Sequence, residues 1–354
     1  MAKKLFIPGP VDVTPEAFQA MSVPMIGHRG GEFSKLLDEC NDGLKKLMYT
    51  NNTIFITPSS STGLMEGAVR NCVKERCLNV CNGAFSERWH GITKENGKEA
   101  DALMFEWGQA PDAKLIDEKL STGKYDAMTL VHNETSTGVS APIEEIARVV
   151  KNYDVSFLVD TVSSMGGVKI EADKLGIDVC LFGVQKCMAL PPGLAACSVS
   201  ERALKKAGTV SARGHYFDFL AYKKYLEKKQ TPTTPPVSIM QGLRYQLNRI
   251  HNQEGLENRF ARHTKMADAT RKWAKKNYAL LPEERYSSNT VTCVANTRNT
   301  DCNDLKAKLS AKGYVFSTGY GKIADKTFRI AHMGERTIEE LQTYLNTIDE
   351  ILGL

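Results

Sequence analysis

Residues 126–160 read DAMTLVHNETSTGVSAPIEEIARVVKNYDVSFLVD, and this stretch decides the fold. Its two ends, 126–132 and 155–160, are short apolar runs with β-branched residues, and such runs predict strands. Between them, residues 142–152 repeat apolar side chains at helical spacing, which predicts a helix. Two apolar strands joined by a helix are typical of a parallel pair in a sheet that is covered on both faces.

The same alternation continues outward from this stretch. Residues 52–57 predict a strand and 63–73 a helix, while 179–181 predict a further buried strand. We therefore expect an α/β large domain with a mostly parallel, seven-stranded type of sheet covered by helices.

The proline-rich segment 229–236 cannot form a regular helix or a central strand, because its prolines lack backbone N–H donors. The pattern of predicted elements differs before and after this segment. The following segment, 237–278, has a helical pattern, and the remainder mixes strand and helix patterns as a smaller α+β domain would. Strands are predicted at 290–295 and 327–331, and helices at 304–312 and 337–352. The expected organisation is an N-terminal arm at 1–15, a large domain at 16–244 and a small C-terminal domain at 245–354.

Composition excludes several classes of protein. The 354 residues carry a net charge of only +5, and the basic pairs Lys223-Lys224 and Lys228-Lys229 are too short to predict nucleic-acid binding. No window approaches the roughly 18 apolar residues that a membrane span needs, and Pro8-Gly9-Pro10 ends the first apolar run too early for a signal peptide. Nine cysteines without a Cys-x-x-Cys pair predict free thiols, no metal site and a cytoplasmic location.

Polar residues follow two of the predicted strands. Ser60, Ser61 and Thr62 begin a helix, where they favour either an ordinary cap or a phosphate site. Asp160 ends a buried strand, and its carboxylate needs a partner because an unpaired buried charge is costly. That partner is either a structural arginine or the protonated nitrogen of a bound heterocycle.

Two cationic residues stand in apolar surroundings. Lys186 follows the strand at 179–181, and a lysine in a partly dry cleft can lose its proton and form a Schiff base with an aldehyde cofactor. Arg329 lies within the predicted strand 327–331. It favours either a bidentate clamp on a substrate carboxylate or a structural salt bridge.

The combined motifs resemble a known family. In chain order they are Pro8-Gly9-Pro10, Ile26-Gly27-His28-Arg29, Ser60-Ser61-Thr62-Gly63, Asn82-Gly83-Ala84-Phe85, His132 to Gly138, Val159 to Ser164, Gln185-Lys186, Leu190-Pro191-Pro192-Gly193 and Arg329. They cover nearly the whole chain and resemble the class V aminotransferases of fold type I, which depend on pyridoxal 5′-phosphate (PLP). They resemble in particular the alanine–glyoxylate and serine–pyruvate aminotransferase group.

The resemblance implies a role for each matching residue. Lys186 would be the Schiff-base lysine and Asp160 the partner of the pyridine nitrogen. Phosphate contacts would come from Ser60, Ser61, Thr62 and Gln185, ring contacts from Phe85 and Val162, the phenolic-oxygen contact from Thr135, and substrate contacts from Arg329, His28 and Arg29. Thr234 would reach the phosphate of a partner subunit, which implies a homodimer with shared sites.

The resemblance also implies a reaction. A small amino acid, alanine or serine, would give its amino group to a 2-oxo acid, glyoxylate or pyruvate, by a ping-pong mechanism. His28-Arg29 keeps a phosphoserine aminotransferase open as the alternative. A lyase of the same fold would need a mobile loop cysteine, for which Cys293 and Cys302 are poor candidates, and a catalytically silent PLP-binding homologue is disfavoured by intact Lys186, Asp160 and Arg329.

Overall fold

The computed structural model describes residues 3–354. Its main feature is a seven-stranded sheet, so the predicted α/β fold is confirmed. In chain order the strands are β1 (Thr53–Thr57), β2 (Arg76–Cys81), β3 (Glu99–Met104), β4 (Ala127–Val131), β5 (Ser156–Asp160), β6 (Val179–Gly183) and β7 (Ala195–Val199).

The strands are arranged β1-β7-β6-β5-β4-β2-β3 across the sheet. Only β7 runs antiparallel to its neighbours, β1 and β6. The six other strands share one direction, and their carboxyl ends therefore meet at one edge. In open α/β sheets this is the edge at which ligands bind.

Helices cover both faces of the sheet because successive strand residues point to opposite sides and most of them are apolar. Two separate buried clusters result, one on each face. The helices of this part are α1 (Pro15–Met21), α2 (Gly31–Leu47), α3 (Ser61–Cys72), α4 (Ala84–Glu95), α5 (Ala113–Leu120), α6 (Ile143–Val150), α7 (Ala172–Leu175), α8 (Glu201–Ala207), α9 (Phe219–Leu226) and α10 (Val237–Asn248).

The segment predicted as one helix at 237–278 is interrupted. After α10 comes a π-helix, Arg249–Glu254, and then Gly255 with φ of +81°, which ends it. A new helix, α11 (Leu256–Asn277), starts after this glycine. Gly255 is the local cause, because a left-handed backbone cannot continue a right-handed helix. The predicted domain boundary at residue 244 falls inside α10 and stays a prediction.

The C-terminal part contains an antiparallel sheet with its own buried cluster. The strands are arranged β8-β9-β11-β10, where β8 is Ala279–Leu280, β9 Val291–Ala295, β10 Ser317–Thr318 and β11 Thr327–Ala331. The helices α12 (Cys302–Ala311) and α13 (Ile338–Leu352) pack against each other beside it. Short 3₁₀ turns at Glu284–Tyr286 and Gly321–Ile323 complete this part.

The amino-terminal segment crosses to the C-terminal part. Lys4–Leu5 pairs in parallel with Tyr314–Val315, and the Phe6 ring stacks on Tyr344 with centroids 3.8 Å apart. Residues 1 and 2 of the predicted arm lie outside the described residues, and the extent of the arm stays a prediction. No helix within residues 3–354 is long and apolar enough to cross a membrane.

Candidate active site

Lys186 lies in the loop after β6, inside the molecule. Its side chain is buried, and Nζ donates hydrogen bonds to Thr135 Oγ1 at 2.9 Å and Ser163 Oγ at 2.6 Å. Burial lowers the pKa of the Lys186 amine to about 8, because water no longer solvates the ammonium form. Lys186 is therefore partly an uncharged nucleophile near neutral pH.

Asp160 is the last residue of the neighbouring strand β5. Its side chain is buried and accepts a hydrogen bond from the Val162 backbone N–H at 2.6 Å. Burial raises the pKa of the Asp160 carboxyl to about 7. Within residues 3–354 no lysine or arginine forms a salt bridge with Asp160, and its carboxyl lines a cavity.

The loop between β1 and α3 contains hydroxyl groups without hydrogen-bond partners. Ser60 is the N-cap of α3 but makes no side-chain cap hydrogen bond, and Ser61 Oγ is buried without a partner. A Cβ on Gly183 would clash with Ser61 Oγ and lie 2.5 Å from Gln185 Oε1, so glycine is required for these polar groups to converge. Unused hydroxyls at a helix amino terminus suit a phosphate.

These groups surround one cavity of about 290 Å³ at the carboxyl edge of the sheet. Phe85 and Val162 contribute its apolar walls, and the Phe85 ring centroid lies 5.4 Å from Lys186 Nζ. Nine predicted cofactor-site residues line the cavity: Ser60, Ser61, Thr62, Phe85, Thr135, Asp160, Val162, Gln185 and Lys186.

Arg329 is adjacent to the cavity but does not line it. It lies in the centre of the small sheet, on β11, and its Nη1 donates to the Thr135 carbonyl at 3.2 Å. Its second described bond goes from Nε to the Thr318 carbonyl at 3.3 Å. Arg329 is buried and forms no ion pair with a carboxylate of the described chain, so its charge is unpaired within residues 3–354.

Three predicted residues lie away from this cavity. Arg29 is exposed, and its Nη1 donates to the Thr231 carbonyl at 2.6 Å. His28 is half-buried and Thr234 is exposed, and neither lines the cavity of this single chain. The residues predicted to contact the substrate phosphate or a partner's phosphate are thus separated from Lys186 within one chain.

Three functional candidates were missed by the sequence reasoning. Ser163 binds the Lys186 amine, Arg88 lines the cavity, and Glu134 holds the start of α4. Arg88 has the clearest sequence signal, since it follows Phe85 by one helical turn and therefore lies on the same helix face. Glu134 and Ser163 lie within the motifs His132 to Gly138 and Val159 to Ser164.

The cysteines do not suit a lyase. All nine are free; Cys293 is buried in β9, and Cys302 is half-buried at the start of α12. Neither lines the cavity, and burial raises the pKa of the Cys293 thiol to about 12. Within the described chain, no cluster of three or more His, Cys, Asp or Glu side chains could hold a metal ion.

The residues present fit PLP. Its phosphate, pyridine nitrogen and aldehyde need an anion site, a carboxylate and an amine, respectively. The unpartnered Ser61 hydroxyl, the buried Asp160 and the Lys186 amine meet these needs within one cavity. The walls formed by Phe85 and Val162 suit a flat aromatic ring.

Comparisons with known proteins agree with this chemistry. The family model "Aminotransferase class-V" matches residues 16–335. An uncharacterised aminotransferase of Methanocaldococcus jannaschii is 43% identical over 94% of this chain and 88% of its own. The L-aspartate–glyoxylate aminotransferase of Paracoccus denitrificans is 33% identical, over 94% of this chain and 87% of its own.

A solved structure resembles the whole fold. The alanine–glyoxylate aminotransferase of Nostoc sp. superimposes with a TM-score of 0.95 at 27% identity, covering 99% of this chain and 96% of that one. The resemblance predicted from the sequence motifs is thereby confirmed. The chain belongs to the class V aminotransferases and is a PLP-dependent transaminase of fold type I.

Proposed function

We propose that this enzyme moves the amino group of a small amino acid, alanine or serine, to a 2-oxo acid, glyoxylate or pyruvate. The observation that carries the proposal is the Lys186 amine, which burial keeps partly uncharged and which Thr135 and Ser163 hold in place. Glyoxylate is favoured as the acceptor because it appears in the names of two relatives with different donors. One is named for aspartate as donor and the other for alanine.

The residue roles follow from the cavity. Lys186 is proposed to hold the cofactor and, once freed by the substrate, to move the proton of the substrate α-carbon. Bound PLP supplies the electron sink for that carbon. Asp160 keeps the pyridine nitrogen protonated, and Thr135 binds the phenolic oxygen. Phosphate binding is assigned to Ser60, Ser61, Thr62 and Gln185, and ring packing to Phe85 and Val162.

Arg329 is the proposed clamp for the substrate carboxylate. Its guanidinium is held by two backbone carbonyls, Thr135 and Thr318, at the wall beside the cavity. Burial lowers its pKa, but an arginine stays protonated at physiological pH. A fixed, unpaired guanidinium next to the reacting groups suits bidentate binding of a carboxylate.

We also propose a homodimer in which Thr234, His28 and Arg29 reach the partner's site. Met25 supports this assignment, because this apolar residue, three positions before His28, is 68% exposed. Phe18 and Val23 in the same segment are also exposed, which is typical of an apolar surface that another chain covers. The free cysteines support a cytoplasmic location.

The test follows the visible absorption band of the PLP-loaded protein. Alanine, serine and phosphoserine are added separately without a 2-oxo acid, and glyoxylate or pyruvate follows. We expect alanine or serine to remove the band and the 2-oxo acid to restore it, as a ping-pong mechanism requires. Conversion by phosphoserine alone would move the assignment to a phosphoserine aminotransferase, and absence of any band would contradict the role of Lys186.

A further inference from the structure

Arg88 is a cation in the active-site cavity that the proposed roles leave unused. It lies on α4 one turn after Phe85, and its guanidinium carbon is 4.8 Å from the centroid of the Phe85 ring. The side chain is exposed at the mouth of the cavity. Arg88 therefore lies between the cavity and the solvent.

The hydrogen-bonding capacity of Arg88 is largely free. Its one described hydrogen bond is from Nη2 to the Tyr320 hydroxyl, at 3.5 Å, and it forms no ion pair with a described carboxylate. The adjacent Glu87 is occupied, because it accepts from Trp107 Nε1 at 2.6 Å and lies 3.6 Å from Lys322 Nζ. A guanidinium has five N–H donors, so Arg88 can bind an anion without losing a partner.

Tyr320 connects Arg88 to Arg329. The Tyr320 ring stacks on Phe85 with centroids 5.7 Å apart, and the Arg329 guanidinium carbon lies 5.2 Å from the Tyr320 centroid. The hydroxyl of the same ring faces Arg88. Two guanidinium groups thus lie along one aromatic pair, beside the cavity that contains Lys186.

The loop that carries Tyr320 is closely packed. A Cβ on Gly319 would lie 2.5 Å from Thr327 Oγ1 and 2.6 Å from the Ile323 carbonyl, so only glycine fits there. Gly321, on the other side, has φ of +53° and packs against Trp107. Tyr320 is therefore held in position, and the spacing between the two cations is set by the fold.

We propose that Arg88 determines donor specificity by binding the anionic side-chain group of an amino acid whose α-carboxylate is held by Arg329. The donor class is an α-amino acid whose side chain ends in a carboxylate or a phosphate. This inference rests on the proposed function. It refines that function, because alanine and serine remain substrates and acidic amino acids react faster.

The first experiment compares donors in the half-reaction without a 2-oxo acid. The rate of loss of the visible band is measured for alanine, serine, aspartate, glutamate and phosphoserine. We expect at least one acidic donor to exceed alanine by about tenfold in rate per concentration, since a second charge-assisted contact is made. Aspartate or glutamate as the best donor would identify the side-chain anion as a carboxylate, and phosphoserine would identify it as a phosphate.

Arg88→Gln tests the residue itself. The variant should lose about tenfold more of its rate with the best acidic donor than with alanine, and Arg88→Lys should recover part of that difference. Arg148→Gln is the matched control, because Arg148 is exposed on helix α6 and does not line the cavity. Its rates should equal those of the parent for every donor.

Binding without reaction gives an independent measurement. Calorimetry of the PLP-loaded enzyme should show that Arg88→Gln weakens the binding of succinate by about tenfold and leaves propionate unchanged. Equal losses for succinate and propionate, or no preference of the parent for any acidic donor over alanine, would overturn the assignment of Arg88. If alanine still converts the band in that case, the proposed aminotransferase function stands, whereas failure of all donors would contradict that function.

Discussion

At the scale of single residues, burial acts in opposite directions on the two groups nearest the chemistry. It lowers the pKa of Lys186 to about 8 and raises the pKa of Asp160 to about 7. For each group the effect of burial outweighs the attraction of the opposite charge. Without bound cofactor, the cavity therefore contains a partly neutral Lys186 amine and a partly neutral Asp160 carboxyl.

The lowered pKa of Lys186 predicts a pH dependence for cofactor capture. Only the unprotonated amine attacks the aldehyde, so the rate should rise with pH and level off above a midpoint near 8. Stopped-flow absorbance of cofactor-free protein mixed with PLP measures this rate. A midpoint near the ordinary lysine value of about 10.4 would contradict the prediction, and Lys186→Ala should form no lasting visible band.

At the scale of elements, α4 depends on one buried carboxylate from another segment. Glu134 accepts hydrogen bonds from the backbone N–H groups of Phe85 at 3.1 Å and Ser86 at 3.0 Å, and also from the Ser136 hydroxyl at 2.6 Å. It lies at the positive end of the helix dipole, where a carboxylate is stabilising. Because Phe85 and Arg88 lie in the first turns of α4, Glu134 positions both side chains.

Glu134→Gln should therefore destabilise the fold and the cofactor site together. The neutral amide turns an NH₂ group toward backbone N–H groups, and we expect unfolding free energy to fall by about 1–3 kcal/mol. PLP affinity should fall as well because the Phe85 wall moves. Urea denaturation and PLP titration measure the two effects. Glu201→Gln, at an exposed surface pair with Lys223, is the control, and equal behaviour of both variants would refute the role of Glu134.

At the scale of the whole molecule, Arg259 links the loops of the large sheet to the C-terminal part. Its side chain is fully buried and donates to the carbonyls of Gly166 at 2.8 Å and Cys187 at 2.6 Å. Its charge is balanced by Glu254 at 2.7 Å and Glu335 at 2.9 Å. Since Cys187 follows Lys186 directly, this network also supports the loop that carries the amine.

Arg259→Met should be strongly destabilising because it leaves two buried carbonyls without their donor and weakens the balance of two carboxylates. We expect a loss of about 3–5 kcal/mol in unfolding free energy, as for other broken buried pairs. Chemical denaturation followed by circular dichroism measures it. Arg285→Met changes an exposed arginine and should have little effect on the unfolding free energy. A comparable loss in both variants would show that the buried network around Arg259 stabilises the fold no more than an exposed arginine does.

The proposed dimer predicts a matched pair of surface variants. Met25→Glu places a charge on an apolar side chain that is 68% exposed, near the residues expected to cross to the partner. Met104→Glu changes a side chain that is 55% exposed on the edge strand β3. Sedimentation velocity should find the parent and Met104→Glu dimeric and Met25→Glu dissociated, with weaker PLP binding. A monomeric parent would refute shared sites.

Much of the fold was determined by local pattern. The strands at 53–57, 127–131, 156–160 and 327–331 lie within a residue of their predicted ends, because apolar runs and their polar boundaries are local properties. Parallel strands place their carboxyl ends at one edge. Residues after β1, β5 and β6 could therefore be assigned to one site from the sequence pattern, whereas Thr135 after β4 was assigned only through the family resemblance.

Contacts between segments that are distant in sequence were decided only by the tertiary structure. The Glu134 contacts with α4, the Ser163 contact with Lys186 and the Arg88 contact with Tyr320 each join segments far apart in the chain. Likewise, the separation of Thr234 from the cavity appears only when the loop is placed. The sequence by itself determined which segments form helices and strands, and at which edge of the sheet the polar site residues lie. Which side chains touch, and how far burial shifts their pKa values, depends on packing between distant segments and was decided only by the tertiary structure.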